Sequence, residues 1–351
     1  MRRETEIAVV GAGPCGLAVG AAARAAGVES VLFDKGCVTE SIVGYPPYMI
    51  FFSTAEKLEI EDIPFIVAGG KPSRVEALTY YRRIARHFAL DVRQYHEVTD
   101  VTGAAGDFLL RTRNLRGEEG ECRAGAVVVA TGGFGQPNRL GVPGEELPKV
   151  SHYFREPHPY WNQDVAVVGG GNSAVEAALE LFRAGARVTF IHFAGELDRG
   201  VKPWVLPDIR NRFEKGEIGV RWHTRVSEIR PGSLLLTDVP PDGTGPSEDR
   251  AKGGGSGARS AGSGAEELPN DWLFAMTGWR ADPSLLLRIG VEVDPATGVP
   301  GHDSETMETR VPGVYIAGVL AAGNDANRIF IENGREHGGR IVRALRGRGA
   351  R

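Results

Sequence analysis

The sequence predicts an α/β protein of two Rossmann-like dinucleotide-binding domains, the first of them discontinuous because the second interrupts it. Three observations predict this. A strand–glycine turn–helix unit occurs twice. A buried strand ending in Ala-Thr-Gly lies between the copies. Two segments after the second copy read as a return to the first domain.

A length of 351 residues suits about two domains. Hydrophobic residues make up 42% and charged residues 25%, ordinary for a globular protein with a sizeable core. The formal net charge of -4 offers no basic surface for nucleic acid or anionic lipid. No apolar run approaches the ~18 residues of a spanning helix. The opening apolar run is short and leads into a glycine turn, so no export signal is expected. Three cysteines (Cys15, Cys37 and Cys122) form no CxxC and no metal-ligand spacing. An odd count without an export signal points to a reducing cytoplasm, with no metal site expected.

The repeat is exact in spacing. "IAVVGAGPCGLAVGAAARAAGVESVLFD" (7–34) aligns without a gap on "VAVVGGGNSAVEAALELFRAGARVTFIH" (165–192). Gly11 matches Gly169, Gly13 matches Gly171, and Gly16 matches Ala174. The first glycine permits a tight turn, the second lets backbone approach a pyrophosphate, and the third small residue lets helix pack on strand. Pro14 opens the first helix, and Asn172 and Ser173 open the second. Unpaired N–H groups there face the anion. The first copy ends in Asp34, followed by Lys35. A carboxylate at that point accepts from ribose hydroxyls, as in FAD or NAD. The second copy ends in His192, with Arg199 and Lys202 behind it. Cations there can pair with a 2′-phosphate, which favours NADPH; Glu196 and Asp198 oppose this, and a solvated loop is the alternative.

FAD and NADPH are therefore the expected cofactors. Ala130, Thr131 and Gly132 end a buried strand in "AVVVATGGFGQPNRLGVPGEE" (126–146), which resembles the second FAD motif of two-dinucleotide flavoproteins. A third segment, "VPGVYIAGVLAAGNDANRIFIENGREHGGRIVRAL" (311–345), reads as strand, turn and helix. Gly318 is followed by valine where an aspartate often contacts the ribityl chain; Asp325 takes that role or no carboxylate does. Arg328 and Ile329, starting the last helix, are expected to offer backbone contacts to the flavin. Tyr45, Phe51, Phe52 and Ser53 either line the isoalloxazine or pack a core loop. The boundaries expected are 1–155 with 277–351 for FAD and 156–276 for NADPH. Residues 240–267, rich in Gly and Ser, read as a disordered insertion.

The stretches "GAGPCGLA", "FFSTAEKLEIEDIPFIVAGGKPSRVEALTYYRRIARHFALDV", "VVGGGNSAVEAALEL", "VKPWVLPDI" and "GVYIAGVLAAGNDANRIFIENGREHGG" resemble the thioredoxin-reductase-like flavoproteins. Within them the chain is most similar to the bacillithiol disulfide reductase family. The resemblance implies NADPH-dependent reduction of a small disulfide through FAD, with a redox role for Cys15. Thioredoxin reductases use a CxxC in the NADPH domain; Ser173 stands here where the first copy has Cys15, so a dithiol relay is excluded. A helix N-terminus lowers a thiol pKa while a neighbouring pyrophosphate raises it, leaving the sign open. Cys15 is then either the exchanging sulfur or a small residue filling the turn. A small-molecule disulfide and further copies of the chain are the expected partners. The rivals are a flavin monooxygenase, whose histidine-containing fingerprint the connector "SHYFREPHPYW" (151–161) matches in part while reading better as an interdomain connector, and a ferredoxin-type NADPH–flavin reductase.

Overall fold

The computed structural model describes residues 4–240, 266–325 and 328–349. The chain forms two compact units, 1–136 with 279–351 and 137–278. The crossing at 136/137 precedes the expected 155. The reason is apolar: Leu140, Val142, Leu147 and Val150 pack on a core cluster that includes Ala166, Val168 and Leu273. Val150–Ser151 also pairs with Leu273 and Phe274 as an edge strand of that unit.

In the first unit, Thr5–Val10 runs parallel to Ser30–Phe33 on one side and to the second half of Glu119–Val129 on the other. The strand Glu119–Val129 changes partners along its length. Its first half pairs antiparallel with Asp107–Asn114; its second half also takes Val314–Ile316, in parallel, as a neighbour. The late strand thus completes a sheet begun 300 residues earlier in the chain, which is what makes this unit discontinuous. Central strands read as continuous Val, Ile and Ala runs because both faces are covered: the successive residues 7–10 and 126–129 are all buried. The helix Pro14–Ala25 starts with proline in its first turn, where a missing N–H costs nothing, and buries Leu17, Ala18, Val19 and Ala21. The final helix, His337–Gly349, lies close against it: a Cβ at Gly338 would sit 2.6 Å from the Ala18 carbonyl oxygen. The expected start of this helix at Arg328 is corrected. Ile331–Gly334 forms a separate single turn, whose entry is held by the Asn333 side chain accepting from the Phe330 N–H at 2.7 Å.

The second unit carries a five-stranded parallel sheet in the order Gly219–Arg221, Arg187–Ile191, Asp164–Val168, Trp272–Ala275 and Val150–Ser151. Beside it, Thr224–Arg230, Ser233–Asp238 and Glu266–Pro269 form an antiparallel sheet. The insertion expected at 240–267 lies outside the described residues except at its ends, and Glu266 and Glu267 belong to a strand rather than to the insertion. No described helix is long and apolar enough to cross a membrane.

The third small residue of each repeat shows why the copies differ. A Cβ at Gly16 would lie 1.9 Å from the Gly11 carbonyl oxygen. Ala174, at the matching place, is fully buried and accommodated. Gly16→Ala is therefore expected to cost about 2–4 kcal/mol. Ala174→Gly should cost only about 1 kcal/mol, the propensity difference within a helix. Urea unfolding of the two variants measures both; equal midpoints would show that the first turn has room to spare.

Two candidate dinucleotide cradles

Each cradle begins where a strand ends against its neighbour. At the first, Gly11 has φ +113°, and a Cβ there would meet the Ala130 carbonyl oxygen at 2.3 Å. The Gly11 N–H donates to the Phe33 carbonyl at 2.7 Å. A Cβ at Gly13 would meet nothing within 4 Å, which leaves the backbone open to a ligand. Pro14 is buried beside it, Thr131 is exposed and Gly132, at φ +79°, is half-buried. These residues fit a pyrophosphate approaching a helix N-terminus. Asp34 lies across the turn. Its Oδ2 accepts from the Ala12 N–H at 2.7 Å and its Oδ1 from the Gly36 N–H at 2.8 Å. Burial raises its pKa, and these two donors pull the other way. Each oxygen keeps a second lone pair for a ribose hydroxyl. Lys35 is exposed.

Cys15 stands at the head of this cradle, in a slot made by two glycines distant in sequence. A Cβ at Gly318 or at Gly334 would meet its Sγ at 2.9 Å. Gly334 is also approached by Ile329 Cγ2, so Ile329 reaches this slot with its side chain. Burial pushes the Cys15 thiol up to about 12. A thiol held that high is protonated at neutral pH. Cys37 bonds to Glu40 Oε2 at 2.8 Å, and Cys122 is buried in a strand. All three cysteines are free.

The Gly318 N–H donates to Nδ1 of His337 at 3.1 Å. His337 is only 6% exposed. Burial, then the Arg340 and His302 charges, lower its pKa to about 4, so at neutral pH the ring is neutral with its proton on Nε2. Nothing in the sequence signalled this pair, because its partners lie on separate elements. Ser53 donates to Glu332 Oε2 at 2.9 Å, and Arg335 donates to the Glu59 carbonyl. Tyr45 packs at 6.2 Å from Phe51 and at 5.5 Å, edge-on, from Phe134. Phe51 is core and Phe52 is half-buried. Asp325 and Arg328 are exposed. The Arg328 carbonyl accepts from the Asn333 side chain at 3.0 Å.

The second cradle repeats the strand-end contact. Gly169, at φ +140°, would place a Cβ 2.3 Å from the Met276 carbonyl oxygen. Gly171 and Asn172 are half-buried, Ser173 is exposed and Ala174 is buried at the helix start. His192 is turned inward, 2% exposed, its ring against Gly170 and 3.4 Å from Asp198 Oδ1. Burial lowers its pKa, with Asp198 opposing. It is thus a packed, neutral ring rather than a surface cation. Arg199 is exposed and Lys202 half-buried on a loop stitched to the turn. Asn172 makes both stitches: its Nδ2 donates to the Gly200 carbonyl at 2.9 Å and its Oδ1 accepts from the Lys202 N–H at 2.9 Å. In the connector, His152 faces Glu145 at 3.3 Å, and Glu145 accepts from the Leu140 and Gly141 N–H groups. Among the described residues no group of three or more His, Cys, Asp or Glu could hold a metal ion.

Comparison with known proteins gives a consistent picture. The family described as pyridine nucleotide-disulphide oxidoreductase matches residues 8–237. A bacilliredoxin reductase, Bdr, of Bacillus subtilis is 40% identical over 338 residues, 95% of each chain. The solved structure of a bacillithiol disulfide reductase, Bdr, from Bacillus cereus is 40% identical, with a TM-score of 0.89 over 98% of this chain and 99% of its own. Its counterpart from Staphylococcus aureus is 37% identical, with a TM-score of 0.86 over 99% of each.

His337 makes stability depend on pH. The unfolded ring takes a proton near pH 6.5, and the folded ring only near 4. The folded state is therefore disfavoured as pH falls through that window, by about 2–3 kcal/mol at its lower end. Denaturation midpoints at pH 7 and pH 4.5 should differ less in His337→Gln, by about 2 kcal/mol in the comparison. An identical pH dependence in both proteins would show that His337 titrates normally.

Proposed function

The chain belongs to the pyridine nucleotide-disulphide oxidoreductase family, and on that basis we propose that it is an NADPH-oxidising, FAD-dependent reductase of a low-molecular-weight disulfide. Bacillithiol disulfide, for which two similar structures are named, is the first substrate to test. The observation that carries the reading is the doubled cradle with a thiol at the head of the first copy. Overall, NADPH, a proton and the disulfide give NADP⁺ and two thiols.

The first cradle would hold FAD through Gly11, Gly13, Asp34 and the N-terminus of Pro14–Ala25. The second would hold NADPH through Gly169, Gly171 and the N-terminus of Asn172–Arg183, with Arg199 and Lys202 available to the 2′-phosphate. Bound flavin and nicotinamide supply the two electrons of the reduction. Cys15 supplies the sulfur: as thiolate it attacks one sulfur of the disulfide, forms a mixed disulfide, and releases the first thiol. Reductive cleavage of that mixed bond releases the second thiol and restores Cys15. Burial keeps Cys15 protonated at rest, so the slot suppresses idle thiol chemistry until ligands change its surroundings. The Gly318 and Gly334 walls fix the sulfur's position, and His337 fixes the Gly318 turn from behind.

The test is anaerobic titration with NADPH followed by bacillithiol disulfide, with thiol counted against NADPH consumed. Cys15→Ala should lower disulfide-dependent turnover at least about 100-fold while flavin content stays unchanged; Cys37→Ala should do neither. Thiol yield that survives Cys15→Ala would remove the sulfur from the reaction. Turnover only when bacilliredoxin is added would show that the small disulfide is not the direct substrate. Protein purified without flavin, and unable to take it up, would end the reading altogether.

A further inference from the structure

The two cradles share one further backbone contact. In each, the loop after the second strand returns an N–H to the carbonyl of the turn's second residue. Thr39 donates to the Ala12 carbonyl at 3.0 Å, and Asp198 donates to the Gly170 carbonyl at 3.0 Å. What the loop brings with it differs. Thr39 is neutral and fully buried, and its hydroxyl bonds to the Val38 carbonyl. Asp198 brings a carboxylate. Its Oδ1 lies 2.9 Å from where a Cβ of Gly170 would be, and its Oδ2 lies 3.4 Å from where a Cβ of Gly171 would be. At Gly13, the counterpart of Gly171, that space is empty to 4 Å.

We propose that Asp198 is a built-in anionic competitor at the second cradle, which weakens dinucleotide binding there and makes that cofactor exchangeable. The inference rests on the reading of this cradle as the NADPH site. A pyrophosphate reaching the N-terminus of Asn172–Arg183 meets the carboxylate over the same two glycines that admit it. The helix N-terminus offers about half a unit of positive charge, so one nearby carboxylate offsets much of its attraction. The neighbouring His192 does not neutralise Asp198, because the ring is 2% exposed and burial lowers its pKa. The backbone that carries the carboxylate is held in place. Asn172 ties the loop at Gly200 and Lys202, and the Asp198 N–H is itself bonded to Gly170. The side chain is 53% exposed, so it can turn outward at modest cost when ligand arrives. In the first cradle the carboxylate, Asp34, is turned onto the Ala12 and Gly36 N–H groups, and the space over Gly13 stays empty. The asymmetry suits a protein that keeps one dinucleotide and releases the other at every turnover.

The experiment is calorimetric titration of the flavin-loaded protein with NADP⁺, which is not consumed, for wild type, Asp198→Asn and Asp198→Ala. Both variants keep the backbone bond to Gly170, and melting curves verify their fold; if one is unfolded, the other decides. Kd should fall about tenfold in each, equivalent to about 1.4 kcal/mol. The gap should narrow as ionic strength rises, since a partly exposed charge is screened. Flavin content should be unchanged. Equal or weaker binding in the variants, or a gap indifferent to salt, overturns the role of Asp198. A wild-type protein that retains flavin but binds neither NADP⁺ nor NADPH overturns the reading of the second cradle, and this role with it.

Discussion

Everything in both units is arranged around one close backbone contact, a glycine pressed against the end of a neighbouring strand. Gly11 meets the Ala130 carbonyl and Gly169 meets the Met276 carbonyl, each at a distance no side chain could occupy. Both glycines hold a positive φ that an L-residue adopts only under strain. The contact aims the following helix so that its free N–H groups open on the crevice at the carboxyl ends of the strands. An open parallel sheet offers a ligand its binding site there. The partners come from far along the chain: Ala130 ends a strand that also carries Val314–Ile316, and Met276 follows the strand Trp272–Ala275. The turn is local in sequence, but its support is not.

From that shared contact the copies diverge through solvation. In the first, both oxygens of Asp34 are committed to turn N–H groups, and Cys15 is enclosed by Gly318 and Gly334. In the second, the strand-end position is a neutral, buried histidine, and the carboxylate comes instead from the loop six residues on. Burial decides the resting protonation of Cys15, His192 and His337 alike, and in each case it favours the neutral form. Asp34 and Asp198 are the carboxylates that reach the two turns, Asp34 onto the Ala12 N–H and Asp198 over Gly170 and Gly171.

Cys15 illustrates how a small residue can serve both fold and chemistry. Its sulfur fills space that two missing Cβ atoms leave, so a larger side chain would collide with Gly318 or Gly334. The same enclosure raises the cost of the thiolate. Reactivity is then conditional on what binds beside it.

Much of this was legible in the sequence alone. The gapless repeat foretold the strand, turn, helix and strand of each copy, because spacing within such a unit is a short-range property. The re-entry of the chain was legible from the late strand and turn. The tertiary structure decided the rest. It moved the unit boundary to 136/137, because the apolar residues between there and 150 find their partners in a core assembled much later in the chain. It split the last helix at Arg335 and turned His192 inward. It also brought Asp198 over Gly171 and closed Gly334 on Cys15. These are matters of desolvation and contact between segments distant in sequence, and neither charge nor exposure is defined until the chain has folded around them.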